Sequence, residues 1–439
     1  MTAGANSEAE ATSADDRRFM EEAIRLSRRH TGLTETNPSV GCVIVRDGAI
    51  VGSAVTAIGG RPHAETQAIA VAGEKARGAT AYVTLEPCAH WGRTPPCANA
   101  LVDAGVARVV VAVTDPDPRV AGQGLKILSD AGITVETGLL EEEGRRALAG
   151  YLMRQTNGRP YVTLKLAVSA DGMLGRRGEE ISITGPEVRT EVHHLRAEND
   201  AILVGIGTIL SDDPELTVRI PGLEDRSPVR IVLDRDGRFP QTSRLAQTAD
   251  VVPVIVAAVG GLPLSGLLSE GAVDELGNHS RSCRCEDHDQ SAKGPSQPSP
   301  QGGGLNPVAP DMPHSGSTAP HVFSPLVGEM AGRPEGDFVG DGNGMAPITH
   351  LHAATLTSLL QTLATRGIST LLVEGGATVA SAFLAENLVD RIVLYVSDTI
   401  VGEGGLESPL TPSDIPASFM SLGSAPVGAD RRFEYERSA

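Results

Sequence analysis

Aromatic side chains are scarce in this 439-residue sequence: Phe, Trp and Tyr together make up 3%. Beside 50 Gly and 29 Pro, that scarcity points to a segment that packs poorly. Basic residues are also in deficit, with 37 Lys and Arg against 55 Asp and Glu, a net charge of −18. A protein that coats a phosphate backbone needs clustered cations, so nucleic-acid binding is not expected. No run of 18 apolar residues exists, which excludes a helical membrane span. The N-terminal stretch is small, polar and acidic without an apolar core, so it does not read as a signal peptide, and a cytoplasmic, reducing address is expected. Five cysteines in such a chain suggest metal or catalytic duty rather than a disulfide framework.

What remains is the composition of a globular enzyme, 40% hydrophobic and 21% charged, in a chain long enough for two domains. Residues 1–14 read as a disordered tail. From Asp15 the spacing of Phe19, Ala23, Ile24, Leu26 and Ser27 predicts a helix with one buried face. Residues 40–55 read as a hairpin turning at Asp47-Gly48. Helices are expected at 63–76, 97–105 and 122–132, and strands at 79–87, 106–116 and 133–140. This alternation predicts an α/β domain around a largely parallel sheet, spanning 15–156.

Asn157-Gly158 and Pro160 mark a boundary, after which a second α/β series fills 157–439. Strands are expected at 161–169, 200–210, 229–234, 251–259, 368–376 and 389–397, with helices at 186–197 and 377–388. Between about 260 and 349 the pattern collapses into Pro, Gly and Ser with few apolar residues. Such a stretch cannot offset its ordering entropy by burial, so it reads as a disordered insertion, removable with a short Gly/Ser bridge. It carries seven of the eighteen net negative charges. Its Cys283, Cys285 and His288 are irregularly spaced and read as chance.

The motif that carries chemistry is His63-Ala-Glu65 at a helix start, followed by Pro87-Cys88 after a strand and Cys97 at another helix start. Water-activating zinc needs three protein ligands, an open position and a base beside it that moves protons. This is the signature of the zinc nucleobase deaminases, with Glu65 as general acid/base. The usual spacing between the cysteines is two residues; here it is eight, and His90 competes as third ligand. Asn37 is a candidate hydrogen-bond partner for a substrate, and Trp91 and Arg93 lie on the loop between the cysteines. In the second series the turn in LLVEGGATVASAFL is a candidate phosphate cradle at a helix start. No G-x-G-x-x-G accompanies it, so a standard Rossmann site is not supported.

The stretches NPSVGCVIV, PHAE, GATAYVTLEPCAHWGRTPPC and VTDPDP, with LKLAVSADG, SDDPELTVR and VEGGAT downstream, resemble the RibD family of bifunctional riboflavin-biosynthesis enzymes. The resemblance implies a cytidine-deaminase-like three-layer α/β/α domain joined to a dihydrofolate-reductase-like α/β domain. It implies one zinc ion on His63, Cys88 and Cys97, with Glu65 as proton shuttle. It implies NADPH contacts from Ala167, Ser182, Thr208, Asp212, Arg235 and the turn and helix Gly376, Ala377, Thr378, Val379, Ala380, Ser381 and Ala382. Substrate contacts are implied for Glu180, Arg196, Leu216, Arg219 and Glu374. The substrate would be a small phosphorylated pyrimidine, deaminated and then reduced from ribosyl to ribityl; homo-oligomerisation is left open. Two rival readings stand beside this one. The first is a nucleic-acid editing deaminase, which the acidic balance opposes, and the second is a chain whose reductase half is impaired by the insertion.

Overall fold

The computed structural model describes residues 3–91, 95–118, 120–179, 181–260 and 348–438. Helix α1 (Ala3–Ser27) begins well before Asp15. The stretch ahead of Asp15 is rich in Ala and Glu, which favour helix over coil. Its buried face, Phe19, Met20, Ala23, Ile24 and Ser27, follows three-to-four spacing and packs on strands β1 (Gly41–Arg46) and β3 (Thr80–Leu85). With β2 (Ala49–Val55), β4 (Arg108–Val113) and β5 (Thr134–Thr137) these form a five-stranded sheet in the order β2-β1-β3-β4-β5.

The pairs β3–β4 and β4–β5 are parallel, while β1 is antiparallel to both β2 and β3 and alone runs against the other four strands. The sheet is therefore mixed, with β1 as its one reversed strand; the tight turn at Asp47-Gly48 joins β1 to β2 antiparallel. Strands β3 and β4 are buried almost throughout, which is why they read as unbroken apolar runs. Helices α2 (Ala64–Ala72), α3 (Cys97–Ala104), α4 (Gln123–Asp130), α5 (Glu141–Ala147) and α6 (Ala149–Asn157) complete this half.

The second half contains β6 (Tyr161–Val168), β7 (Met173–Arg176), α7 (Pro186–Ala197), β8 (Ala201–Gly205), α8 (Ile206–Asp212), β9 (Val229–Leu233), α9 (Arg244–Gln247) and β10 (Val254–Val259). After the undescribed stretch come β11 (Ile348–Ala353), α10 (Leu356–Thr365), β12 (Thr370–Val373), α11 (Ala377–Ala385), β13 (Arg391–Val396), β14 (Gly405–Glu407), β15 (Phe419–Val427) and β16 (Asp430–Arg437). Nine strands form one sheet in the order β11-β10-β9-β8-β12-β6-β13-β16-β15. The seven from β11 to β13 are parallel; β16 runs against them, and β15 turns back to their direction. This brings the carboxyl ends of β6, β8, β9 and β12 to one edge, where open α/β sheets receive their ligands.

The strand expected over 200–210 stops at Gly205, and Ile206–Asp212 is helical. A short apolar run does not distinguish the two, and Gly205 starts the helix in extended conformation. The expected insertion, including Cys283, Cys285 and His288, lies outside the described residues. Its ends are defined: β10 and β11 are neighbours, with Val254 opposite Ile348. Among the described residues no helix is long and apolar enough to cross a membrane.

Candidate functional site

The first site is assembled from two helix starts and one loop. His63 is the N-cap of α2, Cys97 is the first residue of α3, and Cys88 lies on the loop after β3. The Nδ1 of His63 is 3.3 Å from Cys97 Sγ and 3.7 Å from Cys88 Sγ. Tetrahedral zinc with ordinary Zn–N and Zn–S bonds holds its nitrogen and sulfur ligands roughly 3.6 Å apart. The donor separations therefore fit that ion. All three donor atoms lie within 4.8 Å of one another, and His90 is not part of the group.

The electrostatics agree. The Cys88 thiol is pulled down to about 4 by its hydrogen bond with Cys97 and then by His63, against the cost of burial. The Cys97 thiol is pushed the other way by the Cys88 thiolate facing it and by burial. Two thiolates at this range need a cation between them. Glu65, in the first turn of α2, is 3% exposed, and its Oε2 has no hydrogen-bond partner among the described residues. Burial, then the Cys88 charge, raises its carboxyl to about 7. A buried carboxylate oxygen without a partner among the described residues, beside the His63/Cys88/Cys97 donor group, is a group ready to exchange a proton.

Glu86 fixes the cysteine loop, and sequence reasoning had missed it. Its carboxylate accepts backbone N–H bonds from Asp115 (3.3 Å), Gly122 (3.0 Å), Gly124 (3.0 Å) and Leu125 (3.4 Å). It thereby ties the stretch ahead of Cys88 to the start of α4. Asn37 closes a turn with Thr34, its amide packed against Gly60. Trp91 is 74% exposed, and Arg93 lies outside the described residues.

The second constellation stands at the carboxyl edge of the large sheet. Arg196 of α7 binds Glu374, just past β12, through Nε (2.8 Å) and Nη2 (3.0 Å), and its Nη1 donates to Thr217 O (3.2 Å). The fork of Arg196 is thus spent inside the protein rather than presented to a phosphate. Arg219, on the same loop as Leu216, keeps an exposed side chain that, among the described residues, pairs with Glu215 at 3.1 Å, while its N–H donates to His193 Nδ1. Lys165, a lone charge in the apolar β6, sits under the Tyr395 ring; burial lowers its pKa and Glu374 supports it. That residue was also missed, although one lysine inside TLKLAV was the available signal. Glu180 lies outside the described residues, and Ser182 donates its hydroxyl to Thr184 O (3.2 Å).

The cofactor-side residues gather along the same edge. Gly375 packs so closely that an added Cβ would stand 2.6 Å from Val379 Cβ, and one added at Gly205 would stand 2.9 Å from Val379 Cγ2. Val379 therefore joins the turn before α8, which carries Thr208 and Asp212, to the turn before α11. Beside Gly376, the α11 N-cap, a Cβ would meet nothing within 4 Å, which leaves the helix N–H groups of Ala377 and Thr378 open to an anion. Ala167 lies on β6 opposite Tyr395. Arg235 is exposed, whereas Asp234 is fully buried and accepts the Phe239 N–H at 2.7 Å. Asp234 thus faces inward and Arg235 faces solvent.

Residues 13–113 match the family model of the cytidine and deoxycytidylate deaminase zinc-binding region. Residues 160–263 and 341–428 match that of the RibD C-terminal domain, so the undescribed stretch falls largely in a gap of the family pattern. The riboflavin biosynthesis protein RibD of Escherichia coli is 48% identical over 244 residues, 53% of this chain and 66% of that relative. That of Haemophilus influenzae is 46% identical over 248 residues, 54% of this chain and 67% of the relative. These matches span about two thirds of the length of the curated relatives. The solved structure of Acinetobacter baumannii RibD, 32% identical with a TM-score of 0.71, covers 97% of this chain and all of its own. The chain belongs to the RibD family.

A second RibD-family structure, the Thermotoga maritima diaminohydroxyphosphoribosylaminopyrimidine deaminase/5-amino-6-(5-phosphoribosylamino)uracil reductase, is 28% identical with a TM-score of 0.69 and covers 97% of this chain and all of its own. The expected fold class holds: a cytidine-deaminase-like half precedes a dihydrofolate-reductase-like half. So do the enzyme classes and the cofactors, zinc for the RibD deaminase and NADPH for the reductase.

Proposed function

We propose that this chain hydrolytically deaminates a diaminopyrimidine ribosyl phosphate in its first half and reduces the ribosyl group to ribityl in its second. The observation that carries the reading is the His63/Cys88/Cys97 donor group with the unpartnered Glu65 oxygen beside it. A zinc ion held there would supply Lewis acidity and acidify a water toward neutral pH. Glu65 takes the proton from the attacking water and returns it to the departing amine, so that ammonia leaves as oxygen replaces it on the pyrimidine.

NADPH held in the second half would supply a hydride to the ribosyl C1′. Ring opening requires a proton at the ribose oxygen, and the recessed Lys165 amine beside Glu374 and Arg196 is suited to deliver it. Arg196 acts as a positioning residue that holds Glu374 and the Leu216 loop, and Arg219 meets the substrate phosphate. Thr208, Asp212, Arg235 and 376–382 hold the cofactor. A partition at 157–160 into deaminase and reductase domains is supported by a hydrophobic cluster on each side of it. The net charge of −18 supports an enzyme acting on a free metabolite rather than a nucleic acid.

The test is a coupled assay. Glu65→Gln should abolish ammonia release while NADPH oxidation continues with deaminated substrate. Loss of both activities in a folded, zinc-loaded variant would refute two independent sites.

A further inference from the structure

The turn after β9 presents, beside Arg235, two residues not yet placed on the cofactor side. Arg235 Nε donates to Asp236 Oδ1 at 3.1 Å, and Arg238 Nε lies 3.9 Å from Asp236 Oδ2. Two guanidinium groups, three residues apart, thus converge on the two oxygens of one carboxylate. All three side chains are half or more exposed, at 73%, 53% and 50%. Exposed ion pairs of this kind contribute little to stability, so the carboxylate is readily displaced. Asp234 holds the turn from beneath through its bond to the Phe239 N–H, which turns Arg235 and Arg238 outward.

Position supports an anion site. Leu233 of β9 pairs with Gly205 of β8, and Leu203 of β8 pairs with Val373 of β12. The Asp234–Arg238 turn therefore lies on the same edge as the Gly376 cradle, two strand spacings away, about 10 Å. A dinucleotide pyrophosphate at that cradle leaves one ribose to span the gap. A 2′-phosphate on that ribose would carry two charges to the place where Asp236 offers one. Guanidinium groups bind phosphate through forked, charge-assisted hydrogen bonds, stronger than their hold on a solvated carboxylate.

We propose that Arg238 is the second arm, with Arg235, of a clamp for the cofactor 2′-phosphate, and that Asp236 occupies the clamp when the phosphate is absent. The proposal rests on the reading that the second half takes NADPH and adds residues that determine the phosphate preference. Asp236 then lowers affinity for the phosphorylated cofactor by competing with it.

Calorimetric titration of the full chain with NADP⁺ and with NAD⁺ tests this without turnover. Losing one charge-assisted contact at an exposed site corresponds to about a tenfold change. Arg238→Ala should lower the NAD⁺-to-NADP⁺ ratio of Kd about tenfold, and Arg238→Lys should lower it less. Asp236→Ala should raise the ratio a few-fold, a direction that a merely structural role would not produce. In steady state the Arg238→Ala loss should fall on the NADPH KM rather than on kcat. A ratio within twofold of the parent in Arg238→Ala, or equal weakening of both cofactors, would overturn the clamp. A parent chain that binds neither cofactor, or binds both equally, would instead sink the NADPH reading itself.

Discussion

Glu374→Gln removes one charge and almost no volume from the reductase half, and the structure sets the cost. Glu374 accepts two hydrogen bonds from Arg196 at 2.8 and 3.0 Å, with side-chain exposures of 10% and 12%. Burial raises the Glu374 carboxyl, but Arg196, followed by Lys165, outweighs it and holds the group below its ordinary value. In the variant, Arg196 and Lys165 face each other with no anion between them. Breaking a buried pair by removing one partner costs about 3–5 kcal/mol, because an uncompensated charge stays behind. For a domain of 150–250 residues this is a drop in Tm of roughly 6–20 °C.

The pH dependence of that deficit identifies its source. Lys165 already titrates below the ordinary lysine value because of burial, and Glu374 holds it up. Without Glu374 it moves further down, while in the unfolded chain it keeps a value of about 10.4. Between the folded and the unfolded value the unfolded state binds more protons, so stability rises with pH. The deficit relative to the parent should therefore narrow from pH 7 to pH 9.5, as folded Lys165 loses its proton. Scanning calorimetry at the two pH values, with NADPH oxidation alongside, reads this out. A Tm loss below about 2 °C, or a deficit that does not narrow with pH, would refute the ion-pair account.

Cys88→Ala/Cys97→Ala should leave the chain without stoichiometric zinc by metal analysis, against about one zinc per parent chain; zinc retained in the double variant would remove these residues as ligands. Gly375→Ala must displace α11, because the new methyl would meet Val379 Cβ at 2.6 Å. Small-to-large insertions of this kind cost about 1–3 kcal/mol, and here NADPH KM should rise with the strain while deaminase activity is retained. An unchanged NADPH KM would show that the α11 start does not touch the cofactor.

The deaminase centre was legible because its chemistry is written in residue types: a histidine, two cysteines and one glutamate at helix starts define the donor set before any contact is known. The apolar faces of α1, β3 and β4 were legible for the same local reason. The support around the centre was not. Glu86 reads as one acid in LEPC, and only folding brings four backbone N–H groups from 115–125 onto it. The resemblance implied a substrate contact for Arg196, yet its fork is held by Thr217 and Glu374, 21 and 178 residues further along the chain. The β8 boundary failed because GIGTIL is apolar in either conformation. The C-terminal hairpin β15–β16 has one largely exposed strand, so no apolar run announced it.

Topology also corrects the expected ease of shortening the stretch after β10. A short bridge suits antiparallel neighbours, but β10 and β11 are parallel, paired from Val254 with Ile348 to Val259 with Ala353. The chain therefore leaves at one end of the pair and must re-enter at the other, about 17 Å away at 3.3 Å per residue. Parallel neighbours need a crossover of a dozen or more residues, since the path must also clear the side chains of the sheet face. Deleting 262–345 leaves Gly260, Gly261, Ala346 and Pro347 to make the connection. A bridge of about three residues added to these is too short, and one of about ten is sufficient. With the shorter bridge β11 cannot pair, and the apolar edge of β10, VIVAAV, becomes an open template for aggregation. The short-bridge variant should thus lose solubility and reductase activity, whereas the long-bridge variant should keep both. Light scattering and NADPH oxidation on the two variants decide it. Equal behaviour with the two bridges would mean that β11 does not enter the sheet beside β10. Failure of both would mean that the deleted residues themselves contribute to the reductase.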